Sequence, residues 1–496
     1  MDETFTALPL AALADAALSR ASELGCGHAD VRVRRERQLS RSFRDRDLES
    51  SSDVVSLGLS VRVVHDGVWG FAAGITLTTD EAARLAERAV ATAKVSRPLT
   101  PHRVELADEP VHVGQWVSAY DINPFEVADS ERNGRMLELI DRLLAAPGVS
   151  HTSAGLEVVQ ENSFFANLAG TRTTQQRVRQ LPKFTAISVS DAGFATMSTI
   201  APPVGRGWEY LSGVGWDFDA EIAELPSLLA EHVTAPSIDA GHYDLVIDPT
   251  NLWLTIHESV GHATELDRAL GYEAAYAGTS FATVDKLGTL QYGSPVMNVT
   301  GDRTAEHGLA TIGWDDEGVA AQQFDIVSGG ILVGYQLDRQ MAALRELPRS
   351  NGCAFADSAG HIPMQRMPNV SLQPAADGPS TDELISRVER GIYIVGDKSW
   401  SIDMQRYNFQ FTGQRFFRIE NGRLAGQLKD IAYQATTTDF WGSMEAVGGP
   451  DTYLLGGALN CGKGQPGQVA PVSHGCPSAL FRGVNILNTA AEGSQS

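Results

Sequence analysis

Cysteine is scarce in this sequence, with four residues in 496: Cys26, Cys353, Cys461 and Cys476. Four thiols are too few for a disulfide framework in a chain of this length, which excludes a small disulfide-stabilised secreted fold. No run approaches the roughly 18–20 uncharged apolar residues that cross a bilayer, and the N-terminus lacks the basic segment of a secretory signal. We therefore expect a cytoplasmic protein that does not enter a membrane.

Basic residues are also in deficit, because Asp and Glu outnumber Lys and Arg by 61 to 39 and give a formal charge of −22. Domains that follow a phosphate backbone usually carry the opposite excess, so we expect no nucleic-acid binding. The stretch Val31–Arg46 holds seven arginines, but a strand with one solvent-exposed face and interleaved acids explains them more simply. The sequence also lacks a Walker-type phosphate loop, a strand-anchored dinucleotide fingerprint and a Gly-x-Ser-x-Gly elbow.

The chain is long enough for two or three domains. Its first half mixes helical periodicity with strand alternation, and Asp66-Gly67 between two apolar runs predicts a hairpin. Helical periodicity stops near Thr234–Pro236, and Gly-rich turns between β-branched runs dominate the second half. We expect an α+β protein, with an N-terminal mixed α/β domain over 1–235. Residues 236–496 should form a mainly antiparallel β domain, a distorted barrel that also carries a helix near residue 257.

One segment combines metal-binding and proton-transferring residue types: Ile256-His257-Glu258-Ser259-Val260-Gly261-His262. In the zinc-protease pattern H-E-x-x-H, a spacing of four places both imidazoles on one helical face. Here the spacing is five, so an undistorted helix would separate the two rings by about 140°. For both to bind one ion, the helix must unwind or bulge before His262, and Gly261 stands where a distortion costs least. Glu258 is then the candidate general base.

The spacing alone does not separate this metal site from a helix that carries two hydrogen-bonded histidines and a surface acid. A catalytic zinc site needs three protein ligands and an open fourth position. Near the C-terminus, Leu459–Gln465 places Cys461 in a Gly-rich turn, and such a turn lets backbone approach a site closely.

Together, the HExxxH segment and Cys461-Gly462-Lys463 resemble the TldD/PmbA family, specifically its metal-binding TldD branch. Weaker similarity covers Gly58–Phe71, like the family's N-terminal hairpin although Ser60 stands where Gly is common, and Met364–Asn369, like its R-M-x-N segment. The resemblance thus extends over most of the chain. Ser399–Phe411 departs from the Gly-rich stretch that the family pattern predicts there.

The resemblance implies that His257, His262 and Cys461 hold the metal. It also implies a peptidase acting on short or unfolded peptides, paired with an inert TldE/PmbA-like subunit in a heterodimer, with a homodimer as the alternative. Zn²⁺ is the expected ion and Fe²⁺ the alternative. Zinc held by two imidazoles and a thiolate lowers the pKa of its bound water to about 7. Glu258 could take that proton and pass it to the leaving amine.

Other residues offer weaker candidates. Cys476 and His474 could form a ligand set or a nucleophile–base pair, but a small loop residue in a β domain explains Cys476 more simply. Cys353 and His361 could contribute to the cleft, but packing and surface positions explain them more simply. Asp315-Asp316-Glu317 could bind a cation, although a solvated turn explains it more simply. The alternative function is a non-catalytic modulator or binding protein in which the same residues hold a structural metal or none. A closed four-ligand site would favour it, because no water could be activated.

Overall fold

The computed structural model describes residues 1–191, 193–464 and 466–490. Its first half mixes helices and strands. The helices are α1 (Glu3–Thr6), α2 (Leu10–Glu23), α3 (Thr79–Ser96), α4 (Asp129–Leu144) and α5 (Phe218–Thr234). The strands are β1 (His28–Arg44), β2 (Asp47–His65), β3 (Val68–Gly74), β4 (Val113–Val117), β5 (His151–Asn167), β6 (Arg172–Ser190) and β7 (Gly193–Ser198).

These seven strands form one sheet in the order β3-β2-β1-β5-β6-β4, with β7 beside β6. The predicted hairpin is confirmed, since His65 pairs with Val68 across Asp66 and Gly67. Both turn residues have positive φ, 48° and 72°, as a two-residue type I′ turn requires. The helices cover one face of the sheet: apolar side chains of α2 and α3 pack on β1 and β2, and those of α4 and α5 pack on β5 and β6.

The other face of this sheet is charged and meets the second half of the chain. Even-numbered residues of β1 lie on it, and Arg32 and Arg34 are only 3% and 4% exposed. Arg32 donates to the carbonyl of His361 at 2.6 Å, and Arg34 donates to that of Ala356 at 2.5 Å. The prediction of a solvent-exposed arginine face is wrong for these two residues, because the second half of the chain covers them.

The second half is rich in strands. They are β8 (Gly241–Ile247), β9 (Val299–Asp302), β10 (Gln323–Ser328), β11 (Ile331–Leu332), β12 (Ala354–Phe355), β13 (Met364–Gln365), β14 (Asn369–Leu372), β15 (Arg390–Ile402), β16 (Asn408–Glu420), β17 (Arg423–Leu428), β18 (Ile431–Thr436), β19 (Met444–Val447), β20 (Leu454–Lys463), β21 (Gln468–Cys476) and β22 (Ala479–Asn488). The helices are α6 (Pro249–Ile256), α7 (Leu266–Ala269), α8 (Arg339–Leu344), α9 (Thr381–Ser386) and α10 (Thr437–Gly442).

Five strands of this half close into a barrel, because β15-β8-β22-β18-β16 form a continuous sheet and β16 pairs back with β15. Every pairing in the barrel is antiparallel except the one between β8 and β15. The predicted α+β class with a mainly antiparallel, barrel-like second half is confirmed. Helix α6 packs against β15, β20 and β21, and its buried side chains Leu252 and Ile256 join the core with Phe411 and Tyr433.

The proposed domain boundary at residue 235 falls in the connection between α5 and β8 and stays a prediction. Within the described part of the chain, none of the helices combines the length and the apolar character needed to span a membrane.

Candidate metal centre

Helix α6 leads directly into the HExxxH segment. Its start is specified locally: the Asp248 carboxylate accepts a hydrogen bond from the Thr250 N–H at 2.9 Å, and Pro249 occupies the first helical position. After Ile256 the chain forms a π-helical turn over His257–Gly261, in which the N–H of His262 donates to the carbonyl of His257, five residues back. The additional residue in the turn brings the two imidazole centroids to 4.7 Å. The predicted bulge before His262 is confirmed.

Gly261 is required here for space rather than for backbone freedom. Its φ is −52°, an ordinary helical value. A Cβ at this position would lie 2.5 Å from Sδ of Met367, a buried core residue. The glycine therefore lets the turn pack closely under Met367.

The ligand atoms of His257, His262 and Cys461 all lie within 4.8 Å of one another, and all three side chains are buried. Nε2 of His262 is 3.7 Å from Sγ of Cys461. Cys461 lies within β20 and pairs with Ala470 of β21, so the prediction that it lies in a Gly-rich turn is wrong. Arg366 donates to the Cys461 carbonyl at 2.5 Å. The structure thus brings together the three residues that the family resemblance implies as ligands, although Cys461 follows His262 by 199 residues in the chain.

A chain of hydrogen bonds assigns the tautomer of His257. Nδ1 of His474 lies 2.8 Å from the carbonyl of Val370, which can only accept, so Nδ1 carries the proton. Burial lowers the pKa of His474 to about 4, so its ring is neutral and Nε2 accepts from Nδ1 of His257 at 2.7 Å. The Nε2 lone pair of His257 is therefore the one available to an ion.

The second imidazole is oriented by a carboxylate. Nδ1 of His262 donates to Glu265 at 2.9 Å, which leaves Nε2 of His262 as its free lone pair. Glu265 also accepts from the buried ammonium of Lys463 at 3.0 Å. Although burial alone would raise the pKa of Glu265, Lys463 holds it well below the ordinary value. Lys463, the last residue of β20, thus reaches the HExxxH segment through a carboxylate that orients His262.

The donor set fits a zinc-type ion. Burial lowers the pKa of His262 to about 3 and that of His257 well below its usual value, so both rings are neutral at pH 7. Burial also raises the pKa of Cys461 to about 11, so an arriving ion would displace its proton and bind the thiolate. Two imidazoles and a thiolate, each held by an outer hydrogen bond or a fixed backbone, are ligands typical of zinc.

Glu258 lies on the same turn and is also buried. Its Oε2 accepts from Nη1 of Arg406 at 2.5 Å. Burial raises the pKa of Glu258, and Arg406 opposes that rise. Arg406 has a φ of 63° in the tight turn between β15 and β16, where the Asp403 carboxylate accepts from three backbone N–H groups. A rigid turn therefore holds the guanidinium against the carboxylate.

One cavity of about 1360 Å³ is lined by His257, Glu258, His262, Arg406 and Cys461. The HExxxH turn and β20 form one wall of the cavity, and the charged face of β1, β5 and β6 forms another. A chain segment in this space could contact both halves of the protein. The volume exceeds what a single small ligand requires.

The remaining sequence candidates lie elsewhere or have other contacts. His474 is the outer partner of His257, and Sγ of Cys476 lies 3.4 Å from the carbonyl of Pro249. Cys353 is buried, and His361 lines the cavity with its Nδ1 2.6 Å from Asp357. The expectation of a solvated turn at 315–317 is wrong, since all three acids are buried and accept from backbone N–H groups.

Sequence reasoning missed the roles of Glu265, His474 and Arg406. Glu265 had a local signal, because a carboxylate three residues after a histidine lies on the same helical face. His474 and Arg406 had none, since they lie 217 and 148 residues from their partners. Arg406 falls in the segment that departs from the family pattern.

Known proteins with similar sequences show the family of this chain. Residues 240–488 match the family model described as PmbA/TldA metallopeptidase C-terminal domain, and residues 29–93 match the model for domain 1. A protein of Methanothermobacter thermautotrophicus named "Metalloprotease" is 27% identical over 93% of this chain and 96% of its own length. The "Zinc metalloprotease TldD homolog" of Saccharolobus solfataricus is 22% identical over 95% of this chain and 98% of its own.

Solved structures share the fold. One from Thermotoga maritima, named as a candidate modulator of a DNA gyrase, aligns with a TM-score of 0.76 at 16% identity and covers 95% of this chain and 99% of its own. TldE from Thermococcus kodakarensis aligns with a TM-score of 0.69 at 14% identity and covers 95% and 98%. Because the C-terminal family model alone spans half of the sequence, the chain belongs to the TldD/PmbA metallopeptidase family.

Proposed function

We propose that this protein is a metal-dependent peptidase that hydrolyses peptide bonds in short or unfolded peptides. His257, His262 and Cys461 are the proposed ligands, and Glu258 is the proposed general base. The observation that carries the proposal is the convergence of three ligand atoms on a cavity wall beside a buried carboxylate. Zn²⁺ is the proposed ion, with Fe²⁺ as the alternative.

A bound zinc-type ion supplies Lewis acidity and makes a water acidic enough to be a nucleophile near neutral pH. The chain's own residues do the rest. Glu258 takes the proton of the attacking water at a carboxylate oxygen and passes it to the leaving amine. Arg406 orients that carboxylate through the contact at Oε2. The buried partners of His257 and His262 keep their Nε2 lone pairs directed at the centre.

The cavity suits an extended peptide better than a folded protein. In the described part of the chain, β20 pairs only with β21, and residues 456–462 of β20 line the cavity and lead to Cys461. A strand with one unpaired edge can bind an extended chain through backbone hydrogen bonds. We therefore propose that substrate enters as an added strand, which requires unfolded chain.

Replacing Glu258 by alanine tests the catalytic role without removing a ligand. We expect metal content to remain near one ion per chain while cleavage of an unfolded peptide is lost. Glu157→Ala is the matched control, because this exposed acid lines the same cavity away from the ligands. Cleavage at the wild-type rate by Glu258→Ala would remove this residue from the mechanism.

The alternative function is a non-catalytic modulator with a structural metal, which the name of the Thermotoga maritima structure favours. Metal analysis with a cleavage assay in the presence and absence of chelator separates the two. A modulator would bind the ion and cleave nothing. Chelator-sensitive cleavage would exclude a purely structural metal.

We also propose a cytoplasmic heterodimer with a sequence-related TldE/PmbA-like subunit, with a homodimer as the alternative. The fold shared with TldE supports a related partner, and the four free cysteines suit a reducing compartment. Enclosure would protect other proteins from an open active site, and it needs an interface above about 1,000 Å². Size measurement of the chain alone and mixed with such a subunit tests this. A fully active monomer that digests folded proteins would contradict it.

A further inference from the structure

Three arginines share one carboxylate on the sheet wall of the cavity. Arg34 and Arg179 donate to Glu161 at 2.9 and 2.7 Å, and Arg177 donates to its other oxygen. All four side chains are buried. In addition, Arg34 donates to Glu36 at 3.2 Å. Among these five hydrogen-bonded side chains, three guanidinium groups thus face two carboxylates.

Two of the arginines have a structural role. The guanidinium groups of Arg34 and Arg177 lie 5.0 and 5.5 Å from the centroid of the Phe355 ring, which belongs to the second half of the chain. Such contacts hold the two halves of the protein together at the wall. Arg179 makes no ring contact of this kind among the described residues.

Arg179 is short of partners. Of its five N–H donors, the described contacts occupy only one group, Nη2 on Glu161, and Nε is buried without a partner. Burial and the nearby Arg177 lower the pKa of Arg179 to about 10, as expected where positive charge is in excess. Arg179 is only 4% exposed, yet it lines the cavity. A buried guanidinium with free donors is stabilised by an anion that approaches from that cavity.

We propose that Arg179 and the wall around it form a subsite that binds a carboxylate of the peptide substrate. The identity of the ligand as a peptide rests on the proposed function. A carboxylate could accept from donors of Arg179 that have no partner in the cluster, and its negative charge would offset the excess of arginines over carboxylates there. Lys183 follows Arg179 by four residues in β6 and therefore lies on the same face of the sheet. It also lines the cavity and adds to the attraction for a carboxylate. The carboxylate belongs to an acidic side chain or to the peptide C-terminus.

Binding of labelled peptides, measured by fluorescence anisotropy, tests the proposal without requiring cleavage. The probe is an unstructured eight-residue Ala/Ser/Gly peptide in four forms, with Glu or Gln at one central position and with a free or amidated C-terminus. The full-length protein carrying Glu258→Ala keeps the peptides intact. We expect it to bind at least one carboxylate form about tenfold more tightly than the neutral form, and the four forms identify which carboxylate is bound.

Substitutions of arginines in the sheet then test whether Arg179 causes the preference for carboxylate peptides over neutral ones. Arg179→Gln should abolish it, and Arg179→Lys should keep part of it by retaining the charge. Arg37→Gln is the matched control, because it removes one arginine from the opposite face of the same sheet, where it pairs with Asp53. Equal binding of all four peptides would overturn the proposal, as would a preference that survives Arg179→Gln or disappears equally in Arg37→Gln. Failure of the peptidase function would instead appear as binding without cleavage by the wild type.

Discussion

Replacing His474 by alanine isolates the outer hydrogen bond that orients the first proposed ligand. His474 accepts from His257 at 2.7 Å, and both rings are buried. Without it, the Nδ1–H of His257 loses its partner, which costs about 1–3 kcal/mol in a buried position. Loss of such outer partners typically lowers metal affinity 10- to 100-fold, or about 1.4–2.7 kcal/mol. We therefore expect the Zn²⁺ affinity of His474→Ala to be 10- to 100-fold weaker than that of the wild type.

Competition with a chelator of known affinity measures this change directly. His474→Gln should lose less, because a side-chain amide oxygen can still accept from His257. His361→Ala is the control, since it removes an imidazole that lines the same cavity but contacts Asp357. Thermal unfolding of the metal-free proteins confirms that affinity is read on folded chains, which matters because His474 stacks on Trp253. Wild-type Zn²⁺ affinity in His474→Ala would refute the assignment.

Particular contacts lead to three more predictions. Cys461→Ser should lower metal affinity more than tenfold, because a neutral hydroxyl replaces a soft thiolate, whereas Cys476→Ser should retain the ion. The same chelator competition measures both affinities, and the reverse result would contradict the ligand set. Arg406→Gln should lower kcat about tenfold or more with KM and metal content little changed, and Arg406→Lys should recover part of the loss. Equal effects on kcat and KM would contradict the role of Arg406 in positioning Glu258. Asp30 accepts from Arg62 at 2.9 and 2.8 Å, and although burial alone raises its pKa, Arg62 lowers it from 3.8 to about 2. Because the folded pKa lies below the ordinary value, this stabilisation is present above about pH 4 and is lost as pH falls toward 2. We therefore expect Asp30→Asn to lower the free energy of unfolding by about 2 kcal/mol at pH 7. A difference in urea unfolding between the two proteins that does not shrink toward pH 2 would contradict this prediction.

Local chemistry accounts for the parts of the fold that were predicted correctly. Asp66-Gly67 specifies a hairpin because both residues tolerate positive φ, and apolar periodicity marks the helices that cover the sheet. The failures lie where distant segments meet. Arg34 and the acids at 315–317 are charged residues of the kind that is usually exposed to solvent, yet all of them are buried in the folded protein. Periodicity reports which face a residue is on, but it does not report what packs against that face.

The sequence by itself determined the residue types of the proposed centre. The spacing of five from His257 to His262 required a helical distortion, and Cys461 offered a third donor with the right chemistry. Only the tertiary structure decided which lone pairs face the centre and which guanidinium holds Glu258. Those features depend on contacts such as that between Arg406 and Glu258, in which a barrel hairpin meets a helix 148 residues away. Spacing within one helix is local geometry, whereas the direction of a hydrogen bond between distant segments exists only once the whole core has packed.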